Sequence, residues 1–363
     1  MTDDPPGGFL TLGDLEAAGA AKTARDVWEF VQGGAGAETT LRGNRDAFYR
    51  QTLRPRVLTG VDRIDLRTTI LGTPVAAPFF VAPTAYQGLL CADGELATAR
   101  AAGAAGLLAV YSTLSTRSLE EVAAAAPDSP RWFQLYLQPE AGVARRLVER
   151  AERAGYRAVV LTVDMPVLAN RDRQLRSGLA VDAPAPIGNG PEVHAPPRAL
   201  TADGGRFSLR VDTAATWEVV DRLREWTRLP IVVKGVLTGE DARRAVDHGA
   251  SAVIVSNHGG RQLDGASATL DVLPEVVEAV GRDAEVYLDG GVRRGSDVLM
   301  ALALGARAVG IGRPVLWARA AGGEAGVARL LSLLEVDVAT VMALTGRTTV
   351  PAVDRSLLGA PRW

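Results

Sequence analysis

The sequence is short of the residues that build disulfides and metal sites: its 363 residues include one cysteine, Cys91, and three histidines. One thiol closes no internal disulfide, and with so few histidines it assembles no Cys/His structural zinc site, so no metal is expected and a reducing compartment is. Long apolar runs are missing as well. None reaches the ~18 residues that cross a bilayer, and the opening MTDDPPGGF lacks the basic-then-apolar order of a signal peptide. A soluble, cytoplasmic protein with no membrane partner is therefore expected. An excess of one charge is also absent: 40 basic against 42 acidic side chains leave a net charge of -2, which disfavours nucleic acid as a partner. With 47% hydrophobic and 23% charged residues, the chain has the composition of a folded globular protein.

What is present is a repeat of short apolar runs, each followed by a stretch with helical spacing. The strand candidates are 77–84, 106–112, 131–137, 158–164, 230–235, 252–257, 285–290 and 308–312. The helices between and after them are expected near 93–104, 117–125, 140–154, 214–227, 239–248, 271–280, 295–304 and 314–333. Continuous apolar strands alternating with amphipathic helices predict parallel strands buried on both faces. Eight such units over residues 77–333 fit one (β/α)8 TIM barrel of ~250 residues, with a doubly wound sheet as the runner-up. The whole chain, 1–363, reads as one domain: residues 1–70 form a helical cap, with helices at 12–18 and 24–33, and residues 71–363 the barrel. Within the barrel, 165–213 is a long loop after strand four, expected to overhang the catalytic face as such loops commonly do.

Active sites of such barrels lie at the C-terminal ends of the strands, and all eight ends here are polar. Strand one ends in Pro83, Thr84 and Ala85, strand two in Ser112, and strand three carries Gln134 and Tyr136. Strand four ends in Thr162 and Asp164, and strand five in Lys234. After strand six comes Ser256-Asn257-His258-Gly259-Gly260-Arg261. Asp289, Gly290, Gly291 and Arg293 follow strand seven, with Gly312 and Arg313 after strand eight. Thr, Ser and Gln predominate, a set that suits a flat heteroaromatic ring with an anionic tail. The two glycine–arginine pairs match the phosphate site that many barrels place after strands seven and eight.

Lys234 ends an otherwise apolar strand, where it could be a Schiff-base lysine, half of an ion pair, or a fixed cation beside a ligand that gains negative charge. His258 is the best general base of the three histidines, with Asp164 placed to orient and charge-stabilise its imidazole. His248 sits at a helix end, where a cation complements the dipole, and His194 lies in the long loop.

The motifs SNHGGRQLDG (256–265), VKGV (233–236), LTVDMP (161–166), FQLY (133–136) and DGGVRRG (289–295) resemble those of the FMN-dependent 2-hydroxy acid oxidases and dehydrogenases. That family includes the glycolate, lactate and hydroxymandelate oxidases. The resemblance runs from GGAG and TLRGNRDAF, within 33–48, to the final helices. It implies FMN held by Pro83, Thr84, Ala85, Ser112, Gln134, Thr162, Lys234 and Ser256, with the phosphate on Asp289, Gly290, Gly291, Arg293, Gly312 and Arg313. It further implies His258 as base with Asp164 behind it, Lys234 facing the reduced ring, Arg261 and Arg171 on the substrate carboxylate, and Tyr136 bonded to substrate or product. Relatives commonly form tetramers or octamers, so a homo-oligomer is expected.

Three departures from the family pattern bear on substrate choice. Phe30 stands where glycolate and lactate oxidases have a tyrosine, Leu114 where glycolate oxidase has a tryptophan, and Cys91-Ala92 where the family has His-Pro. A lost hydroxyl and a gain of apolar room favour an aryl (S)-2-hydroxy acid such as mandelate or 4-hydroxymandelate, and Tyr86 in APTAYQG resembles the hydroxymandelate oxidases. Ala85 resembles the oxidases, so O2 is the expected acceptor; no CxxCH occurs, and no haem module is expected. The alternatives are a small aliphatic acid such as lactate or glycolate, a lyase or isomerase using Lys234 on a phosphorylated substrate, and a flavin- or phosphate-binding protein without turnover.

Overall fold

Three helices come before any strand in the computed structural model, which describes residues 8–138, 140–179, 186–194, 201–203, 206–208 and 215–360. They are α1 (Leu12–Lys22), α2 (Arg25–Gln32) and α3 (Thr39–Arg50). Thr11 starts α1 with a reciprocal cap: its hydroxyl accepts from the Asp14 N–H while the Asp14 carboxylate accepts from the Thr11 N–H. The sequence predicts the first two helices, although α1 runs four residues further than expected. It misses α3, whose mixture of Arg, Asn, Asp and Thr reads as a polar stretch until the faces it buries are known.

A short antiparallel hairpin follows, β1 (Thr68–Ile70) and β2 (Thr73–Val75), also not anticipated. The barrel then begins with β3 (Phe79–Val81), α4 (Glu95–Ala104), β4 (Ala109–Ser112), α5 (Leu119–Ala125), β5 (Arg131–Leu135), α6 (Ala141–Arg153) and β6 (Val159–Thr162). The long loop contains α7 (Asp172–Ser177) and a hairpin, β7 (Thr201–Asp203) and β8 (Arg206–Ser208). Parts of the loop expected over 165–213, and residue 214 of the following predicted helix, lie outside the described residues. The barrel resumes with α8 (Glu218–Trp226), β9 (Ile231–Val236), α9 (Gly239–Asp247), β10 (Ala252–Val255), α10 (Thr269–Val280), β11 (Glu285–Leu288), α11 (Gly295–Ala303), β12 (Ala308–Ile311) and α12 (Arg313–Leu344). The expected final helix at 314–333 is longer, and it breaks at Gly322 and Gly323, where the backbone leaves the helical region.

Strands β3, β4, β5, β6, β9, β10, β11 and β12 pair in that order, all parallel, and β12 closes on β3. This is the (β/α)8 TIM barrel that the alternation predicts. Period-two geometry explains how it is filled. Phe80, Val110, Trp132, Val160, Val232, Ile254 and Tyr287 form an apolar interior cluster with Ile70 and Val75 of the first hairpin. Their sequence neighbours, such as Phe79, Val81, Phe133 and Val233, pack outward with the helices.

One step of two residues further along each strand the interior becomes polar: Ser112 after Val110, Gln134 after Trp132, Thr162 after Val160, Lys234 after Val232, Ser256 after Ile254 and Asp289 after Tyr287. The apolar layer is a plug, and the polar layer above it is the floor of a site.

Candidate active site

The floor is a hydrogen-bonded arc. Ser112 Oγ donates to Gln134 Oε1 at 2.9 Å, Lys234 Nζ to Ser256 Oγ at 2.8 Å, and Ser256 Oγ to Asp289 Oδ1 at 2.6 Å. Lys234 also lies 3.4 Å from Asp289. Burial alone would push the lysine down, but Asp289 and Asp164 outweigh it and hold its pKa above the usual value. Lys234 is thus kept as a cation, which speaks against a Schiff-base role. Gln134 and Thr162 are buried, and Gln134 Nε2 and Thr162 Oγ1 have no hydrogen-bond partner among the described residues.

His258 stands on the turn after β10 with a left-handed φ of 58°. The turn is held from both sides: the His258 N–H donates to Ser256 Oγ at 3.1 Å, and the Gly260 N–H donates to Asn257 Oδ1 at 3.1 Å. Asn257 in turn exchanges two amide hydrogen bonds with Asn44 of α3, at 2.9 and 2.8 Å. A Cβ at Gly260 would stand 2.6 Å from the Leu41 backbone, so α3 lies directly on the loop that presents the histidine.

Nδ1 of His258 is 2.9 Å from Asp164 Oδ1, and Nε2 is 3.4 Å from the Tyr136 hydroxyl. With Nδ1–H donated to the carboxylate, Nε2 is left as the acceptor. Burial lowers the His258 pKa below its ordinary value, against the pull of Asp164. Burial would raise Asp164, but His258 and Lys234 bring it below the usual carboxylate value. The close approach needs Gly235, since a Cβ there would lie 2.6 Å from Asp164 Cβ.

Four arginines line the cleft, Arg171 buried and Arg261, Arg293 and Arg313 half-buried. Arg261 donates to the carbonyls of Phe30 and Gly33 at 2.8 and 2.7 Å, and Arg171 donates through Nε to the Arg261 carbonyl at 3.2 Å. Arg293 lies over the Trp317 ring at 4.7 Å. Arg313 donates through Nε to Val31, Nη1 to Gly259 and Nη2 to Gly33, all carbonyls, at 3.0, 2.9 and 2.8 Å. Its side chain therefore ties the C-terminal end of α2 to the His258 turn. Arg261 and Arg313 share this capping of α2, where the helix dipole favours cations.

Most of the residues expected at the site line one cleft of about 1110 Å³, counting the part open to solvent. Pro83, Thr84, Ala85, Ser112, Lys234 and Asp289 line it, as do Gly290, Gly291, Arg293, Gly312 and Arg313. So do Phe30, Leu114, Tyr136, Arg171, His258 and Arg261. Gln134, Thr162 and Ser256 belong to the floor, Asp164 stands behind His258, and Thr162 also borders an adjoining cavity with Val163, Trp217 and Val236.

The sequence reading misses Met165, Leu168 and Leu316 as lining residues. Met165 and Leu168 stand just after the LTVD run, so their place beyond a strand end was the available signal. His248 bonds Asp221 at 2.7 Å and stacks on Trp217 without lining the cleft, and His194 is exposed.

Comparison with known proteins agrees with this geometry. The sequence profile of the FMN-dependent dehydrogenases matches residues 20–360. The chain is 46% identical to the L-lactate oxidase of Nostoc sp. over 361 residues, covering 96% of this chain and 98% of the relative. Human 2-hydroxyacid oxidase 2 is 42% identical, with 96% and 98% covered. Among solved structures, a mandelate oxidase with (S)-2-phenylpropionate superposes with a TM-score of 0.87 at 43% identity, covering 97% of this chain and 98% of that one. A lactate oxidase from Pediococcus acidilactici does so with a TM-score of 0.89 at 36% identity, with 98% and 96% covered.

Proposed function

The chain belongs to the FMN-dependent dehydrogenase family, and on that premise we propose that it oxidises an aryl (S)-2-hydroxy acid to the 2-oxo acid with O2 as electron acceptor. The cleft suits the family's cofactor. Two buried polar atoms without partners among the described residues, Gln134 Nε2 and Thr162 Oγ1, each cost about 1–3 kcal/mol unless something pairs with them. A ring carrying carbonyl and N–H groups, set on the polar floor, would do so.

Pro83, Thr84, Ala85, Ser112, Gln134, Thr162, Lys234 and Ser256 would hold that ring. Asp289, Gly290, Gly291, Arg293, Gly312 and Arg313 would hold the phosphate arm, where the N-terminus of α12 adds its own N–H groups and dipole. Because the Arg313 guanidinium is already engaged with three carbonyls, its backbone is the better placed donor. FMN bound there supplies a two-electron acceptor.

The chain's own residues do the rest. Arg261 and Arg171 bind the substrate carboxylate, a pairing that planar guanidinium groups make bidentately. His258 Nε2, neutral because burial lowers its pKa, takes a proton from the substrate's carbinol group. Asp164 then stabilises the imidazolium through Nδ1, and Tyr136, whose hydroxyl lies 3.4 Å from Nε2, bonds the substrate oxygen. Lys234, held cationic beside Asp289, stabilises negative charge arriving on the ring.

The observation that carries the aryl reading is the apolar part of the cleft lining: Phe30 and Tyr86 meet edge to face at 6.4 Å, the Arg261 guanidinium lies 5.1 Å over the Phe30 ring, and Leu114, Met165 and Leu168 line the same cleft. The 46% identity to a lactate oxidase favours a small aliphatic acid as the second reading. Anaerobic reduction of the purified yellow protein by (S)-mandelate, 4-hydroxymandelate, lactate and glycolate decides between them. Fastest bleaching by the aryl acids, with recolouring in air, is the expected result. Fastest bleaching by lactate or glycolate would establish the second reading, and a flavin that stays reduced in air would remove O2 as acceptor.

A further inference from the structure

A buried cation stands at the far end of a hydrogen-bonded chain that leads into the cleft. Arg319, in the first half of α12, is 1% exposed, and its Nη1 donates to Thr98 Oγ1 at 3.2 Å. Thr98, fully buried on α4, donates to Gln87 Oε1 at 2.6 Å. Gln87 is 1% exposed, and its Nε2 donates to Thr84 Oγ1 at 3.0 Å. Thr84 is half-buried and lines the cleft. Gln87 is also anchored through its backbone N–H to Glu95 Oε1 at 3.1 Å. The same carboxylate takes the Thr116 N–H and hydroxyl and the Arg117 N–H.

The direction of this chain follows from its source. A guanidinium donates and never accepts, so Thr98 must accept from Arg319 and its single proton is free to go to Gln87 Oε1. That turns the NH2 end of the Gln87 amide toward Thr84. Thr84, having accepted, has its own hydroxyl proton to give to the cleft. Without the arginine, Gln87 can turn over, donating to Thr98 and accepting from Thr84, and the Thr84 proton is then spent inside the protein. A buried arginine is costly; Glu95 and Asp93 favour the Arg319 charge without bonding it directly, Nε and Nη2 have no hydrogen-bond partner among the described residues, and the bond that Nη1 makes goes to Thr98.

We propose that Arg319 is a positioning residue for the cofactor cleft: through Thr98 and Gln87 it fixes the Thr84 hydroxyl as a hydrogen-bond donor toward bound FMN. The inference rests on FMN lying in this cleft against Thr84. Chains of aligned hydrogen bonds polarise one another, so the donor at the cleft end is stronger than an isolated threonine.

The test compares the wild type with Arg319→Met, Arg319→Lys, Thr84→Val and the Arg319→Met/Thr84→Val double variant. It reads the FMN dissociation constant of the apoprotein and the position of the visible flavin bands. Thr84→Val should weaken FMN binding by about threefold to tenfold, the loss of one hydrogen bond. Arg319→Met should do the same, the double variant should lose no more than either single one, and Arg319→Lys should recover most of the loss. Additive losses, or Arg319→Met with unchanged affinity and bands, overturn the proposal. If Arg319→Met does not fold, Thr98→Val cuts the same chain: a loss matching Thr84→Val supports the proposal and an unchanged affinity overturns it. A wild-type protein that takes up no FMN overturns the cofactor assignment itself, and this proposal with it.

Discussion

His258 holds a backbone conformation that side-chain-bearing residues rarely adopt, at a cost of order 1–3 kcal/mol, and the cost is met by the bonds to Ser256 and Asp164. A histidine held in this way can act at one atom, Nε2. Replacing it with alanine should reduce the rate of hydroxy acid oxidation by about 10²–10⁴-fold while the protein stays yellow; turnover near the wild-type rate would remove His258 as the base. The pH profile tests the pairing with Asp164. The active form is the neutral imidazole, so kcat/KM should rise with pH through the His258 pKa. Because burial lowers that pKa, the acid limb should lie below the ordinary histidine value of ~6.5. Asp164 works against burial by raising the pKa, so Asp164→Asn should move the limb to still lower pH as well as reducing kcat. A limb that stays in place in that variant would show that the carboxylate does not act on the histidine.

At the scale of elements, the site depends on how the cap and the loop helix α7 are fastened together. Arg173 of α7 pairs with Glu38 through two bonds of 2.9 and 2.6 Å and lies 3.4 Å from Glu29 of α2. Arg171 is the residue that caps the start of α7, and Phe30 and Arg261 meet at the end of α2. The clasp thus sets the spacing between Arg171 and Arg261, the two arginines proposed to bind the carboxylate, without itself lining the cleft. It is partly exposed, so its worth is at most about 1 kcal/mol. Arg173→Ala should raise KM for the hydroxy acid up to about fivefold, with FMN affinity unchanged, and the difference from wild type should shrink as salt screens the pairs. A fall in kcat with KM unchanged would place Arg173 in another role.

For the molecule as a whole, the net charge of -2 conceals a strongly positive cleft. Burial lowers Arg171 to about 10, burial and the neighbouring Arg45 lower Arg293 to about 10, burial with repulsion from Arg293 and Arg171 lowers Arg313 to about 9, and burial with repulsion from Arg171 and Arg313 takes Arg261 well below its usual range. Arg171, Arg293 and Arg313 stay charged at neutral pH, so the protein without cofactor holds several like charges close together, and an anion should relieve them. The apoprotein should melt below the holoprotein, and inorganic phosphate alone should raise its Tm, through binding at the last two strand ends. FMN at a hundredfold excess over its dissociation constant should add about 2.7 kcal/mol to stability. A calorimetric scan in which phosphate leaves the apoprotein Tm unchanged would show that the cleft does not demand an anion.

The barrel and most of its strand-end residues were legible in the linear sequence because they are local facts: a parallel strand buried on both faces is a short apolar run, and the residue two places beyond its last apolar inward position reaches the floor. Ser112, Gln134, Lys234 and Asp289 could be found by that rule alone. Helix α3 could not, because its residues become intelligible only against partners far along the chain: Asn44 against Asn257, Leu41 against Gly260, and Arg45 against Asp297 at 2.6 Å. The same holds for the double duty of Arg261 and Arg313 as caps of α2, and for the chain from Arg319 to Thr84. Sequence periodicity records what each segment buries, whereas a hydrogen bond across more than two hundred residues exists only once the barrel has closed.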